Sequence, residues 1–265
     1  MRNGLESRAK TRLVRRPLPA IRCTSTLFSI MALPSPLDTV RQRLSALVFR
    51  SPHPSEGHAL ALSWTELDAF LPDGGLPHGV VELTAPLSLG GGTMVALAAI
   101  CAAQRKDPRA WCAWIDSAGT LYAPGAVMAG VELHRLFVVR PPQSEVGHIA
   151  VKVARSQAFA VIVIDGDAAG SIQSLKNGRP SQRGDRSREV LVRKLALLAA
   201  EGGSTIVLLT DARRAHPAPL PVALRLELER APEAIHIRVG KDRYGRGGLA
   251  KTIPLQDRPS LHLAG

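Results

Sequence analysis

The stretch Val80–Leu97 reads VVELTAPLSLGGGTMVAL, and its reading decides the fold. Val80 to Thr84 is an apolar, β-favouring run that predicts a strand. Pro86 and the glycines Gly90, Gly91 and Gly92 interrupt it, and from Thr93 to Gln104 the chain is Ala-rich and reads as a helix. Strand, glycine-rich turn and helix in this order is the layout of a phosphate-binding loop, in which backbone N–H groups cradle anionic oxygens. The place where such a loop carries its lysine is filled by Gly91.

Outward from this unit, strand and helix alternate. Ala110 to Ile115 predicts a strand ending at Asp116, and Ala123 to Gly130 a helix. Leu136 to Val139 reads as a strand, and Ser144 to Gln157 as a helix with Val146, Ile149 and Val153 on its apolar side. Ala160 to Ile164, AVIVI, is an uninterrupted apolar run closing on Asp165, as a strand buried on both faces would be. Ser187 to Ala200 is a periodic helix, and Thr205 to Thr210 the next buried strand. Five such alternations predict an α/β fold with a mostly parallel sheet covered by helices. Leu224 to Leu228, Ile235 to Val239 and Leu249 to Ile253 read as further strands that extend the sheet antiparallel. Upstream, Asp38 to Phe49 places Val40, Leu44, Leu47 and Val48 on one helical face behind an Asp38 cap.

Composition bounds the rest. The 265 residues hold one core domain with tails, drawn here as a basic disordered tail at 1–35, a helix and linker at 36–59, the core at 60–257 and a tail at 258–265. Met31 is a candidate start. Hydrophobic content is 45% but aromatics only 4%, so Ala, Val, Leu and Ile must build the core. Three cysteines, Cys23, Cys101 and Cys112, without metal-ligand spacing, fit a reducing cytoplasm. The histidines show no zinc spacing, and no metal is expected. The net charge is +12, with seven Lys or Arg against Glu6 alone in residues 1–35. Such a balance fits either a nucleic-acid or acidic-protein partner, or a solvated face.

The run DGGLPHGVVELTAPLSLGGGTMVALAAICAAQR resembles the opening of the ATPase core of the RecA recombinases. The resemblance continues in order through WCAWIDSAGTLYAPGAVMAGV, FAVIVIDG, VRKLALLAAEGGSTIVLLTD and IHIRVGKDRYGRGG, over about residues 70–255. It implies a RecA-like core. Position by position it also implies lost chemistry. Ala85 replaces the first loop glycine, Gly90 keeps the glycine before the lysine, Gly91 stands at the lysine, Gly92 at the metal-binding hydroxyl, and Thr93 follows one place later. Without the lysine, phosphate charge is left uncompensated, at a cost of about 3–5 kcal/mol, which cuts binding a hundredfold or more. Asp116 is kept, but Ala118 stands where the water-activating glutamate would lie. Asp211 ends the strand that closes on a nucleotide-sensing glutamine in RecA. Asp165 matches the metal-associated carboxylate. Lysine, hydroxyl and base are lost together, so no ATPase activity and no ATP or magnesium cofactor are expected.

In RecA two loops hold single-stranded DNA. The first corresponds to residues 168–188, with Lys176, Arg179, Arg183, Arg186 and Arg188, and the second to the short DARRAHPAPLPVAL. The first loop suits sequence-independent phosphate contact or is simply solvated; it has no aromatic for stacking bases. Lys241 and Arg243 match the paired cations that RecA subunits present to a neighbour's nucleotide; here they serve a protein contact or cap an exposed hairpin. Val40, Leu44 and Leu47 either dock on a RecA-type subunit or pack on their own core.

A RecA-like core with degenerate nucleotide motifs in a chain of this size is similar to the ImuA family. That resemblance implies a cytoplasmic, non-catalytic adaptor in the bacterial SOS response. It would support error-prone translesion synthesis by binding RecA, the polymerase-like ImuB, or both. Two alternatives remain open at this level: a RecA-like ATPase using a displaced cation, and a cell-division inhibitor of the SulA type.

Overall fold

A computed structural model describes residues 59–86, 91–165, 182–212 and 220–255. The helix expected at Asp38–Phe49, with Val40, Leu44 and Leu47, lies outside them. Among the described residues, five α-helices and eight strands follow one another as α1 (Thr65–Phe70), β1 (Gly79–Ala85), α2 (Gly91–Lys106), β2 (Trp111–Asp116), α3 (Ala123–Met128), β3 (Leu136–Val139), α4 (Val146–Arg155), β4 (Phe159–Asp165), α5 (Gln182–Gly202), β5 (Thr205–Asp211), β6 (Leu224–Arg230), β7 (Ala234–Asp242) and β8 (Ala250–Pro254). All eight strands join one sheet in the order β3-β2-β4-β5-β1-β6-β7-β8.

The central strands are largely apolar because both of their faces are covered. Val81, Leu83, Val161 and Val163 point into one core with Val95, Ala99 and Ile100 of α2. Val80, Ile162, Ile164 and Ile206 point into the other, against Val146, Ala150 and Val153 of α4 and Val192, Leu195 and Ala199 of α5. Ala96, Ala99, Ala102 and Ala103 are buried along α2 beside Val95 and Ile100, so small and aliphatic side chains fill the space between helix and sheet. After α5 the chain reverses at Gly203, whose φ of +62° is the left-handed conformation glycine adopts without a side-chain clash.

Of the last three strands, one departs from expectation. β7 and β8 are antiparallel additions, but β6 lies parallel to β1, with Val81 opposite Leu224 and Thr84 opposite Glu227. Since β1 pairs parallel with both β5 and β6, β6 cannot follow β5 through a tight hairpin. Helix α5 also begins earlier than its apolar periodicity predicts, at Gln182, taking in part of the basic segment expected as loop. Among the described residues, no helix is long and apolar enough to cross a membrane.

One staple is invisible to periodicity. Arg135, buried before β3, donates from Nη1 to the carbonyls of Gln104, Asp107 and Ala110 at 3.2, 3.2 and 3.4 Å. The carbonyls at the end of α2 thus gain partners that the helix cannot supply. Glu132 holds the same guanidinium, and its own carboxyl is kept below the ordinary range by that hydrogen bond.

Candidate nucleotide-type site and its surroundings

β1 delivers the chain to Ala85, and Ala212 N–H binds the Ala85 carbonyl at 3.1 Å, tying the entry of the glycine turn to the end of β5. Gly90 lies outside the described residues. Gly91 opens α2, and a side chain built on it would start 3.6 Å from Ile235 Cδ1 and 3.7 Å from Leu228 Cβ, against the apolar face of β6 and β7. A side chain at Gly92 would start 3.4 Å from Leu209 Cδ2 and 3.8 Å from Ala85 Cβ. Both glycines are buried, and Thr93 is half-buried one residue on. The first turn of α2 therefore meets the sheet without a cation or hydroxyl from positions 91 or 92.

The strand-end carboxylates sit side by side, with Asp116 opposite Asp165 in the β2–β4 register. Asp116 is fully buried. Its oxygens accept the N–H groups of Thr120 at 2.8 Å and Leu121 at 3.1 Å, and Arg140 Nε at 3.3 Å. This is the pattern by which an aspartate fixes the turn that follows it. Thr120 Oγ1 lies 3.1 Å from Asp165 Oδ2, joining the two acids through one hydroxyl. Ala118 is exposed on the same turn, and Ser117 donates to Gln143 at 2.7 Å. Asp211 pairs with Ala85 at the end of β5. Among the described residues, no group of three or more histidines, cysteines or acids is placed to hold a metal ion.

The most charged point of the interior was not singled out from sequence. Glu82, in the middle of β1, is 1% exposed; its Oε2 receives Arg225 Nε at 2.7 Å, and its Oε1 receives Thr210 Oγ1 at 3.2 Å. Arg188 of α5 approaches the same carboxylate at 3.8 Å with its side chain 18% exposed. The sequence signal was a carboxylate inside the apolar run VVELT together with an arginine inside LRLEL. Arg188, expected on a solvated basic loop, instead turns inward onto this acid. Arg183 and Arg186 also fall within α5, and Lys176 and Arg179 lie outside the described residues.

Lys241 and Arg243 sit at the other end of the sheet from their own glycine turn. Asp242 is level with Leu224, which is level with Val81, four residues before Ala85. At the rise of a strand that is about 13 Å along the sheet. Lys241 Nζ donates to the Leu220 carbonyl at 2.5 Å. These two cations and the turn of the same chain are not brought together.

A mostly parallel sheet, a glycine turn after its central strand and paired carboxylates at neighbouring strand ends define an α/β core of the RecA-like class. The model of the RecA N-terminal domain family matches residues 55–207, more than half of the chain, and the chain belongs to that family. Protein RecA of Gluconacetobacter polyoxogenes is 41% identical over 105 residues, covering 39% of this chain and 29% of that protein. Protein RecA of Clostridium acetobutylicum is 39% identical over 113 residues, covering 42% and 32%. The mitochondrial DNA repair protein recA homolog of Dictyostelium discoideum is 39% identical over 105 residues, covering 39% and 23%. The matched segment is thus less than a third of each of these relatives. The crystal structure of the RadB recombinase superposes with a TM-score of 0.57 at 17% identity, covering 75% of this chain and 97% of that one, which shows the fold.

Proposed function

We propose that this chain is a non-catalytic RecA-like adaptor of the ImuA type, which binds RecA, an ImuB-type polymerase-like protein, or both, and supports translesion synthesis in the bacterial DNA-damage response. The observation that carries this reading is Gly91. A phosphate loop needs a fixed cation at that position, and the residue there opens α2 against Ile235 and Leu228 with no side chain. The other positions agree in kind. Ala118 offers no base, and Asp116 is engaged by two backbone N–H groups and Arg140. Phosphoryl transfer depends on positioning and electrostatics, so a site short of these groups has little left with which to act. What remains is a RecA-like surface without a nucleotide-driven switch, and contact with a RecA-type protomer or its partners is the use such a surface has.

Pull-down of the purified chain with RecA and with ImuB tests the adaptor role: capture of at least one is expected, and binding to neither removes it. Titration with ATP and magnesium tests the other half. Absence of saturable tight binding and of turnover is expected, whereas measurable turnover would restore the ATPase alternative.

A further inference from the structure

We propose that the outward face of α4 and α5 is a docking surface for an amphipathic helix of a partner protein, with apolar side chains along one side and a carboxylate placed to meet Lys194. The two helices lie side by side. A side chain begun at Gly147 would start 3.0 Å from Leu191 Cδ2, and one begun at Gly202 would start 3.3 Å from Gln157 Cγ, so α4 runs alongside the second half of α5 in the same direction. Val192, Leu195 and Ala199 turn the inner side of α5 into the core, which leaves the opposite side to solvent. That side carries Val190, 65% exposed, and Leu197, 66% exposed, seven residues apart and so on one line along the helix. Leu191 and Leu198, half-buried beside them, repeat the spacing on the flank that meets α4. Apolar residues scattered singly over a surface are ordinary. An apolar pair repeated after seven residues is instead the pattern that a second helix packs against.

Lys194 selects the partner. It stands exposed between Val190 and Leu197 on the same side of α5, and among the described residues it makes no ion pair. A helix laid over both apolar side chains covers the ammonium as well, and a covered ammonium without a carboxylate opposite it is costly. A lysine within an apolar seam therefore fixes the register and requires an acid from the partner. On α4, Lys152 and Arg155 are exposed and likewise make no ion pair among the described residues. Arg193 is taken up by Glu189 at 2.6 Å, while Glu145 and Glu201 stand near the two ends, so the middle of the face is its positive part. A second copy related by a two-fold axis through this seam would bring one Lys194 toward the other. The stretch Asp38–Phe49 carries Arg41 and Arg43 against Asp38 alone, the wrong sign for this face. Nucleic acid would use the cations and leave Val190 and Leu197 wet. The inference deepens the adaptor reading by giving the chemistry of the partner, and rests on it only for which protein supplies the helix.

The experiment is fluorescence anisotropy of labelled synthetic helical peptides with the unchanged chain, Lys194→Glu, Leu197→Ser and, as a distant surface control, Arg230→Glu. One peptide has leucine at its heptad a and d positions and glutamate on both flanks; the other has lysine in place of glutamate. The unchanged chain should bind the acidic peptide saturably and the basic one not at all. Lys194→Glu and Leu197→Ser should each weaken the acidic peptide about tenfold, and Arg230→Glu should leave it unchanged. Lys194→Glu should also gain binding of the basic peptide. Circular dichroism melting verifies that each variant is folded. Binding with this dependence but without capture of RecA or ImuB would uphold the inference and remove the adaptor reading alone. Equal affinity for the two peptides, or an acidic-peptide affinity unchanged by Lys194→Glu and Leu197→Ser, would overturn the proposal. So would three other occupants of the face: an oligothymidylate lost in Lys194→Glu but kept in Leu197→Ser, a self-association in sedimentation abolished by Leu197→Ser, or a carbodiimide cross-link from Lys194 to residues 1–58 of its own chain.

Discussion

Arg225 Nε on β6 donates to Glu82 Oε2 on β1 at 2.7 Å, and both side chains are buried. The pair crosses the two strands that bound the glycine turn and the C-terminal extension, and Thr210 of β5 joins it from the other side. Removing one partner strands the other charge in the interior. Glu82→Ala should therefore destabilise the fold by about 3–5 kcal/mol, read as a lowered urea midpoint. Replacing Glu82 and Arg225 together by residues of similar volume should cost much less than the sum of the single changes. Additivity of the two single losses would show that the pair is not coupled.

The first turn of α2 makes a second expectation. A Cβ at Gly92 would meet Leu209 and Ala85 at ordinary contact distances, and its φ lies outside the left-handed region. Gly92→Ala should stabilise the chain by about 0.4–1 kcal/mol, since it restricts the unfolded state without strain in the folded one. A loss of stability in chemical denaturation would mean that the added methyl is not accommodated between Leu209 and Ala85.

Restoring the lysine separates binding from chemistry. Position 91 has room for a side chain to begin, and Gly91→Lys with Gly92→Thr should raise ATP affinity by about a hundredfold, the converse of leaving phosphate charge uncompensated. Hydrolysis should stay undetectable because position 118 still holds alanine. Calorimetric titration and a phosphate-release assay read the two effects. Unchanged affinity in the double variant would place the defect elsewhere in the loop.

Acid should loosen the β7–β8 turn through Asp242. Burial pushes its carboxyl up, but hydrogen bonds from Arg246 and from the N–H groups of Arg246 and Tyr244 outweigh this and hold it below the ordinary value of 3.8. A depressed carboxylate stabilises fully above its unfolded value and loses that contribution as pH falls through the folded one. Unfolding free energy of the unchanged chain should thus decline more steeply below pH 3.8 than that of Asp242→Asn, whereas at neutral pH the two profiles run parallel with a constant offset. Parallel acid profiles would remove Asp242 from the balance.

The two interior thiols should be silent. Burial raises Cys112 to about 12 and Cys101 to about 11, and Cys101 Sγ also donates to the Ala129 carbonyl at 2.8 Å. In a Cys23→Ser background at mildly alkaline pH, neither should react with a thiol reagent until urea unfolds the chain, since the reactive species is the thiolate. Labelling of the native protein within the time of a free thiol would show that the core around β2 opens.

Much of the architecture was legible from local pattern. AVIVI could only be a strand covered on both faces, and β4 is that strand. The order of strands and helices from Val80 to Asp211 followed from periodicity and glycine placement. That Gly91 and Gly92 stand where the chain passes from β1 into α2 could be read directly, because the residues of a turn are neighbours along the chain. What escaped the reading depends on partners far away in the chain. Arg188 looked like one more cation of a basic run until α5 carried it onto Glu82, just over a hundred sequence positions upstream. Arg135 closes the end of α2 through carbonyls that lie 25 to 31 positions before it.

The amino-acid sequence by itself determined the RecA-like α/β core and the identity of the groups at the glycine turn, since hydrophobic period, turn chemistry and residue type are properties of neighbours along the chain. Only the tertiary structure decided that β6 runs parallel to β1, that Glu82 gathers Arg225 and Arg188, and that Lys241 and Arg243 lie at the far end of the sheet from the turn they follow. Those outcomes are set by which strand pairs with which, and pairing is chosen by the burial and charge balance of residues brought together from distant parts of the chain.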